Sequence, residues 1–169
     1  IVKMKAQLEP IVRTEGRTFH SRLVVEPSFH HPLHYHPEME ITQIVRSRGT
    51  FLIGDHVGDF RDGDVFVIGS NLQHLFTNTL RPTSNAEAEV LQFNRGFSNG
   101  FIDETPEMRP FVKLSDKARL GLLFRPENPS EPRNILTRIR RARAFDRMQA
   151  FMDLVRWLIS TDRYEILAS

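Results

Sequence analysis

A β-sandwich or barrel of short strands, followed by a helical tail, is the fold class this sequence predicts. Three observations carry it. Up to about residue 95, brief runs rich in Val, Ile, Phe and Thr alternate with Gly, Asp and Asn turns; turn signals about every 8–12 residues belong to all-β sandwiches and barrels. After residue 100 the apolar residues recur instead at helical spacings of three and four. The charge chemistry divides in the same way. All seven histidines lie within the first 74 residues, whereas Arg138, Arg140, Arg141, Arg143 and Arg147 crowd one late segment.

Strands are expected at Arg22–Glu26, Glu40–Arg46, Thr50–Ile53, Asp64–Ile68 and Glu87–Phe93, punctuated by Gly49, Gly54-Asp55, Gly58-Asp59, Asp62-Gly63 and Gly69-Ser70-Asn71. In the tail, Thr105-Pro106 reads as an N-cap with proline at the first helical position. Ser115 is expected to cap a helix running to about Phe124. The prolines of Arg125–Arg133 predict a loop, after which Asn134 caps a basic helix with Ile135, Ile139 and Ala142 on one stripe. A last helix carries Phe145, Met148, Met152, Val155 and Ile159, a stripe widened by Phe151, Leu154, Trp157 and Leu158. The expected division is 1–100 for the β region and 101–169 for the helical extension.

Composition narrows the function classes. With 23 basic and 21 acidic residues, the formal charge of +2 does not by itself argue for nucleic acid. The late arginines are expected to form a solvated helix face. Cysteine is absent, which excludes disulfides and thiolate metal sites. No apolar run reaches the roughly 18 residues of a membrane span, and Ile1–Lys5 lacks the apolar core of a signal peptide. A cytoplasmic location is expected.

The chemistry-bearing stretch is His34-Tyr35-His36-Pro37-Glu38-Met39-Glu40. Side chains two apart on a strand share a face, so His34, His36 and Glu40 can converge. His74, after a buried strand and a turn, can join them inside a barrel. Two or three imidazoles and a carboxylate suit Zn, Ni, Fe or Mn. The same four groups could instead form a polar network or touch an organic ligand directly, since buried polar groups need partners in either case. Glu38 reads as a solvated strand-end charge because Pro37 disturbs the alternation. His30, His31 and His56 read as surface loop residues.

These residues resemble the cupin superfamily. Its first motif, His-x-His, three or four residues, Glu, then a turn glycine, is matched by His34, His36, Glu40 and Gly49. Its second motif, Gly, five residues, Pro-x-Gly-x-x-His, three residues, Asn, is matched by Gly63, His74 and Asn78. Gly49 comes two residues late, Gly69 stands for the proline and Asn71 for the second glycine. The wording around both motifs, together with Pro106-Glu107-Met108-Arg109-Pro110 and Lys117–Phe124, is similar to the sensor domain of AraC-type transcription regulators over roughly residues 20–169.

That resemblance implies a cupin-like jelly-roll β-barrel with a helical dimerisation segment. It implies a small-molecule effector bound inside the barrel, at His34, His36, Glu40 and His74; a divalent metal such as Zn, Ni or Fe is an option that rests on the completeness of that ligand set and not on the resemblance, since regulators of this type are not generally metalloproteins. It implies a homodimer through 134–160, no catalytic residues and no membrane. DNA contact is expected only through a helix-turn-helix half that this chain lacks. A metal-dependent cupin enzyme, a dioxygenase or isomerase, is the alternative; a stand-alone storage or binding cupin is a third.

Overall fold

The computed structural model describes residues 5–12, 15–78, 84–97 and 99–169. Residues 1–4, which carry most of the signal-peptide reading, lie outside the described residues.

Two sheets face each other, and helices cover the outer face of one. The strands are β1 (Gln7–Leu8), β2 (Phe19–Glu26), β3 (His34–Tyr35), β4 (Met39–Arg46), β5 (Gly49–Ile53), β6 (His56–Phe60), β7 (Val65–Ile68), β8 (His74–Thr77), β9 (Ala86–Phe93), β10 (Leu122–Phe124) and β11 (Tyr164–Ile166). The helices are α1 (Phe101–Glu104), α2 (Arg109–Lys117), α3 (Ser130–Arg141) and α4 (Ala144–Ile159), with single 3₁₀ turns at Pro106–Met108 and Ala118–Leu120. The five-stranded sheet runs β1-β3-β8-β5-β6 and the six-stranded sheet β11-β10-β7-β4-β9-β2. No helix among the described residues is long and apolar enough to cross a membrane.

The six-stranded sheet is the middle layer, which explains its sequence. A sheet covered on both faces reads as continuous apolar runs rather than strict alternation. All four residues of β7 are buried, as are seven of the eight in β9. Ile41, Val65, Val67, Leu91 and Phe93 join one core with Phe111, Leu136, Ile139, Phe151 and Leu154 of the helices. Their neighbours Ile44, Phe66, Ile68, Ala88 and Val90 face the other way, into a second core with Phe51, Ile53 and Phe60 of the five-stranded sheet. On the helical side Phe151 gathers Phe19, Phe93 and Phe97, with ring centroids 4.7, 5.1 and 5.6 Å away. Buried Glu89 receives a bidentate pair of hydrogen bonds from Arg140 at 3.0 and 2.9 Å, and one from Thr137 at 2.9 Å, which ties α3 to β9.

Several sequence expectations need correction. Ser115 does not cap a helix: it lies inside α2, buried, its hydroxyl donating to the Val112 carbonyl at 2.8 Å. Pro110 sits in the first turn of α2, where a missing N–H costs nothing, so the helix starts earlier. It also stops earlier. Gly121, at φ 70°, turns the chain into β10, where Leu122 pairs with Val67 of β7. The Arg125–Arg133 loop is shorter than expected, because α3 begins at Ser130 with Pro132 in its first turn and Asn134 inside it. His56–Phe60 is a strand, so Gly58 is not a turn; a Cβ there would meet the Phe51 ring at 2.6 Å. The buried stripe of α4 is Ala150, Phe151, Leu154, Val155 and Leu158, leaving Phe145 outward at 72% exposure. The arginines are not one solvated face. Arg140 holds Glu89, Arg138 pairs with Asp153 at 2.7 Å, and Arg147 donates to the Ala142 carbonyl at 2.7 Å.

Candidate functional site

Between the sheets lies a cavity of about 380 Å³. Its walls are the inward residues of the middle sheet, among them Arg22, Val24, Thr42, Ile44, Ala88 and Val90, with Phe29 and Phe76 opposite and residues 9–12 along one side. His34, Glu40 and His74 reach its surface.

The three histidines are brought together by strand register. His34 on β3 is directly opposite His74 on β8, and their ring centroids are 4.2 Å apart. His36 follows β3 in the bend that leads to β4, its ring 5.2 Å from that of His74. Donor atoms of His34, His36 and His74 all lie within 4.8 Å of one another. The turn that delivers His74 accounts for a departure from the cupin pattern. Asn71 adopts φ 61°, the left-handed region where glycine is usual and asparagine is tolerated, and its N–H donates to the His36 carbonyl at 2.8 Å. Gly69 is needed because a Cβ would meet the Ala118 carbonyl oxygen at 2.7 Å. Asn78, the last motif residue, is structural: it accepts from the Phe29 N–H at 2.6 Å and donates to the Arg48 carbonyl at 2.6 Å.

Each imidazole is oriented from behind. The Nδ1 atoms of His34, His36 and His74 lie 2.9, 3.1 and 2.8 Å from the carbonyls of Pro32, Glu38 and Leu72. Carbonyls only accept, so each Nδ1 carries the hydrogen and the Nε2 lone pairs point inward when the rings are neutral. That arrangement is the outer shell typical of metal-ligating histidine. Glu40 Oε2 lies 3.1 Å from His36 Nε2 and 3.8 Å from His74 Nε2. Thr42 donates to Glu40 Oε1 at 2.7 Å and Gln92 to Oε2 at 2.8 Å, while Arg22 holds Gln92 at 2.8 Å. Buried His74 Nε2 has no hydrogen-bond partner among the described residues.

The three histidines fit a divalent cation, with Glu40 beside two of them. Ligand atoms each ~2.0–2.2 Å from one ion lie roughly 3–4 Å apart, the range of both Glu40 distances. An orphaned inward lone pair on His74 is the feature an ion would satisfy. Burial opposes the ionised form of Glu40, but His36 and His74 outweigh it and hold its carboxyl well below the usual carboxylate range. Burial likewise opposes a charged His36, yet the Glu40 hydrogen bond raises its pKa above the ordinary value. His34 is lowered, first by burial and then by the His74 ring beside it.

All four predicted residues therefore meet at one end of the cavity, although His36 does not line it. Glu38 is corrected: it is buried at 6% exposure, its carboxylate 4.0 Å from His36 Nδ1 on the far side from the cluster. The bend at residues 37–38 breaks strand parity there. His30 and His31 are exposed, whereas His56 lies half-buried in β6 against the Phe51 ring. Sequence reasoning assigned no role to Thr42, Arg22, Gln92 or Glu9. Thr42 was accessible by parity with Glu40; Gln92 becomes visible only once β9 is paired in register with β4.

No family model matches the sequence, and no curated protein does. Among solved structures, ToxT from Vibrio cholerae shares the fold with a TM-score of 0.50 at 12% identity, over 80% of this chain and 53% of that one. ToxT from Vibrio cholerae O395 bound to (E)-4-(8-methylnaphthalen-1-yl)but-3-enoic acid gives 0.52 at 12% identity, over 81% and 54%. The chain thus spans about half the length of the ToxT chains it matches. A Bacillus subtilis oxalate decarboxylase mutant overlaps more loosely, with a TM-score of 0.40 at 19% identity over 59% of this chain and 28% of that one. At 12% identity, the likeness to the ToxT chains is one of fold.

Proposed function

We propose that the chain is the effector-sensing and dimerisation domain of an AraC-type transcription regulator. A small organic molecule would bind in the cavity, and a divalent metal (Zn, Ni or Fe) would be held by His34, His36, Glu40 and His74. The observation that carries this reading is the cavity itself. Its volume of about 380 Å³ lies within the usual range for small-molecule sites, and it joins apolar walls to a few convergent polar groups. Arg22 and the histidine cluster supply the polar end, while Val24, Ile44, Phe76 and Val90 supply an apolar body. A molecule with an acidic or hydroxylated head and an apolar body suits that division. The small-molecule acid held by ToxT supports the choice. A bound metal would supply a Lewis-acidic anchor for the head group.

Dimerisation is proposed through 134–160. The outward residues Phe145 and Ile159, at 72% and 39% exposure, support it, with half-buried Met148 and Met152 packed against the helical core beside them. Val155 is excluded from that contact because it is buried at 4% exposure in the helical core. The regulator reading places the protein in the cytoplasm, with DNA contact through a domain outside this chain. A metal-dependent enzyme is the second reading, favoured by the same cluster opening onto the cavity; turnover of a small acid by the metal-loaded chain would decide for it.

The test is a thermal-shift screen of aliphatic acids, aromatic acids and sugars against the wild-type chain and Ala88→Phe, which fills the cavity. A compound seated there stabilises the first and not the second. Compounds that stabilise both equally bind elsewhere and refute the cavity reading.

A further inference from the structure

We infer that Glu9 belongs to the cation site, and that a divalent cation bound there fastens β1 to the rest of the domain. This rests on the metal reading above. Glu9 Oε2 lies 3.6 Å from His34 Nε2, too far for a hydrogen bond. It is buried and has no hydrogen-bond partner among the described residues. His74 Nε2, whose ring centroid lies 4.2 Å from that of His34, is in the same condition. Two buried lone-pair donors, an oxygen and a nitrogen, thus lie beside one imidazole, and the 3.6 Å from Glu9 Oε2 to His34 Nε2 is a separation that two ligands of one ion can span. A cation satisfies both at once, whereas a bound proton serves only one.

The backbone sets Glu9 there. β1 pairs in parallel with β3, and the N–H groups of Gln7 and Glu9 donate to the carbonyls of Leu33 and Tyr35 at 3.0 and 2.9 Å. Little else holds this strand. Both of its residues are exposed, Leu8 at 59%, so apolar burial contributes little to its attachment. Charge balance points the same way. A divalent ion with Glu40 as its sole anionic ligand leaves one positive charge in a buried site, and Glu9 neutralises it. Residues 9–12 also form part of the cavity wall, so cation occupancy would fix that wall.

The test uses the full chain and Zn(II), then Ni(II), as probes, with calorimetric titration and amide hydrogen exchange of residues 5–12. The variants are Glu9→Gln, which keeps the shape and removes the charge, and His74→Gln, which locates the metal. Expected results are wild-type binding, a loss with His74→Gln, and about tenfold weaker binding with Glu9→Gln. Exchange at Gln7 and Glu9 should slow at least about tenfold on metal loading in wild type only. If Glu9→Gln binds as tightly as wild type, or exchange there ignores saturating metal, the role of Glu9 is refuted while the metal site stands. If wild type binds neither metal, or His74→Gln binds as well as wild type, the metal reading fails and this inference with it.

Discussion

The two faces of the six-stranded sheet do different jobs with alternate residues of the same strands. Towards the helices, β4, β7 and β9 present Ile41, Val67 and Leu91 to a dry aromatic core around Phe151. Towards the five-stranded sheet, the neighbouring residues Glu40, Thr42 and Gln92 build a hydrogen-bonded polar cluster beside a cavity. One face is filled and the other is left open at one end. Stability and recognition are therefore separable by a single step along a strand, and substitutions that test this should fall into two groups.

The largest effect should come from the filled face. Phe151→Ala removes the ring that touches Phe19, Phe93 and Phe97, and should cost about 3–5 kcal/mol. Chemical denaturation measures the loss. The comparison breaks if the folded fraction also loses its affinity for metal or effector. Next is Arg140→Ala, which strands Glu89 at 2% exposure and should cost about 3 kcal/mol, because an unpaired buried charge is worse than none. Adding Glu89→Gln should restore much of that. No restoration would mean that the guanidinium acts through packing rather than charge.

The division also explains what could be read from the sequence. The long strands were legible because β-branched and aromatic runs mark any strand buried on both sides; β4 and β9 lie within one residue of their expected bounds. β1, β3, β10 and β11 are two or three residues long and exist only through their partners, so no local pattern announces them. Leu122–Phe124 follows a helical run in sequence, and Gly121 was the one residue that marked the break. The site was legible where it is local. His34, His36 and Glu40 follow from parity, but Gln92 and Glu9 arrive through sheet pairing from 52 residues beyond Glu40 and 25 before His34.

On the open face the effects should be smaller and conditional on ligand. Metal at a hundredfold excess over its dissociation constant should raise wild-type stability by about 2.7 kcal/mol. His74→Ala should lose that gain. A melting scan with and without Zn(II) reads both, and an equal shift in the two proteins would place the metal elsewhere. At the outer surface, Phe145→Glu on α4 should shift a sedimenting dimer towards monomer without lowering the melting temperature, since Phe145 is 72% exposed. A wild-type monomer at high micromolar concentration would end the dimer proposal.

The smallest effect, and the one that separates the two faces most finely, is in pH. Metal binding needs neutral imidazole, and His34 and His36 do not lose their protons together. The pKa of His36 is raised, with Glu40 overcoming the burial that opposes it. A proton on His36 therefore competes with metal above the ordinary value of about 6.5. His34 is lowered, by burial and then by His74, so it competes only below that value. Glu40 remains ionised throughout, its carboxyl held well below the usual range. Metal affinity should fall by about tenfold per pH unit once His36 begins to protonate, about 1.4 kcal/mol, and more steeply below about 6.5 as His34 joins. Without metal the signs differ. A raised His36 contributes stability that is present below the unfolded value and lost as pH rises through the folded one; a lowered His34 contributes stability that is lost as pH falls. The two act on opposite sides of about 6.5, so the apo melting temperature should peak near that value, whereas the metal-dependent increment should keep rising as pH rises through it. Calorimetric titration at half-unit intervals, run beside melting scans of the apo chain, measures both. A single unbroken slope in affinity would mean that His34 and His36 titrate as equals, and the asymmetry that Glu40 imposes on the open face would be refuted.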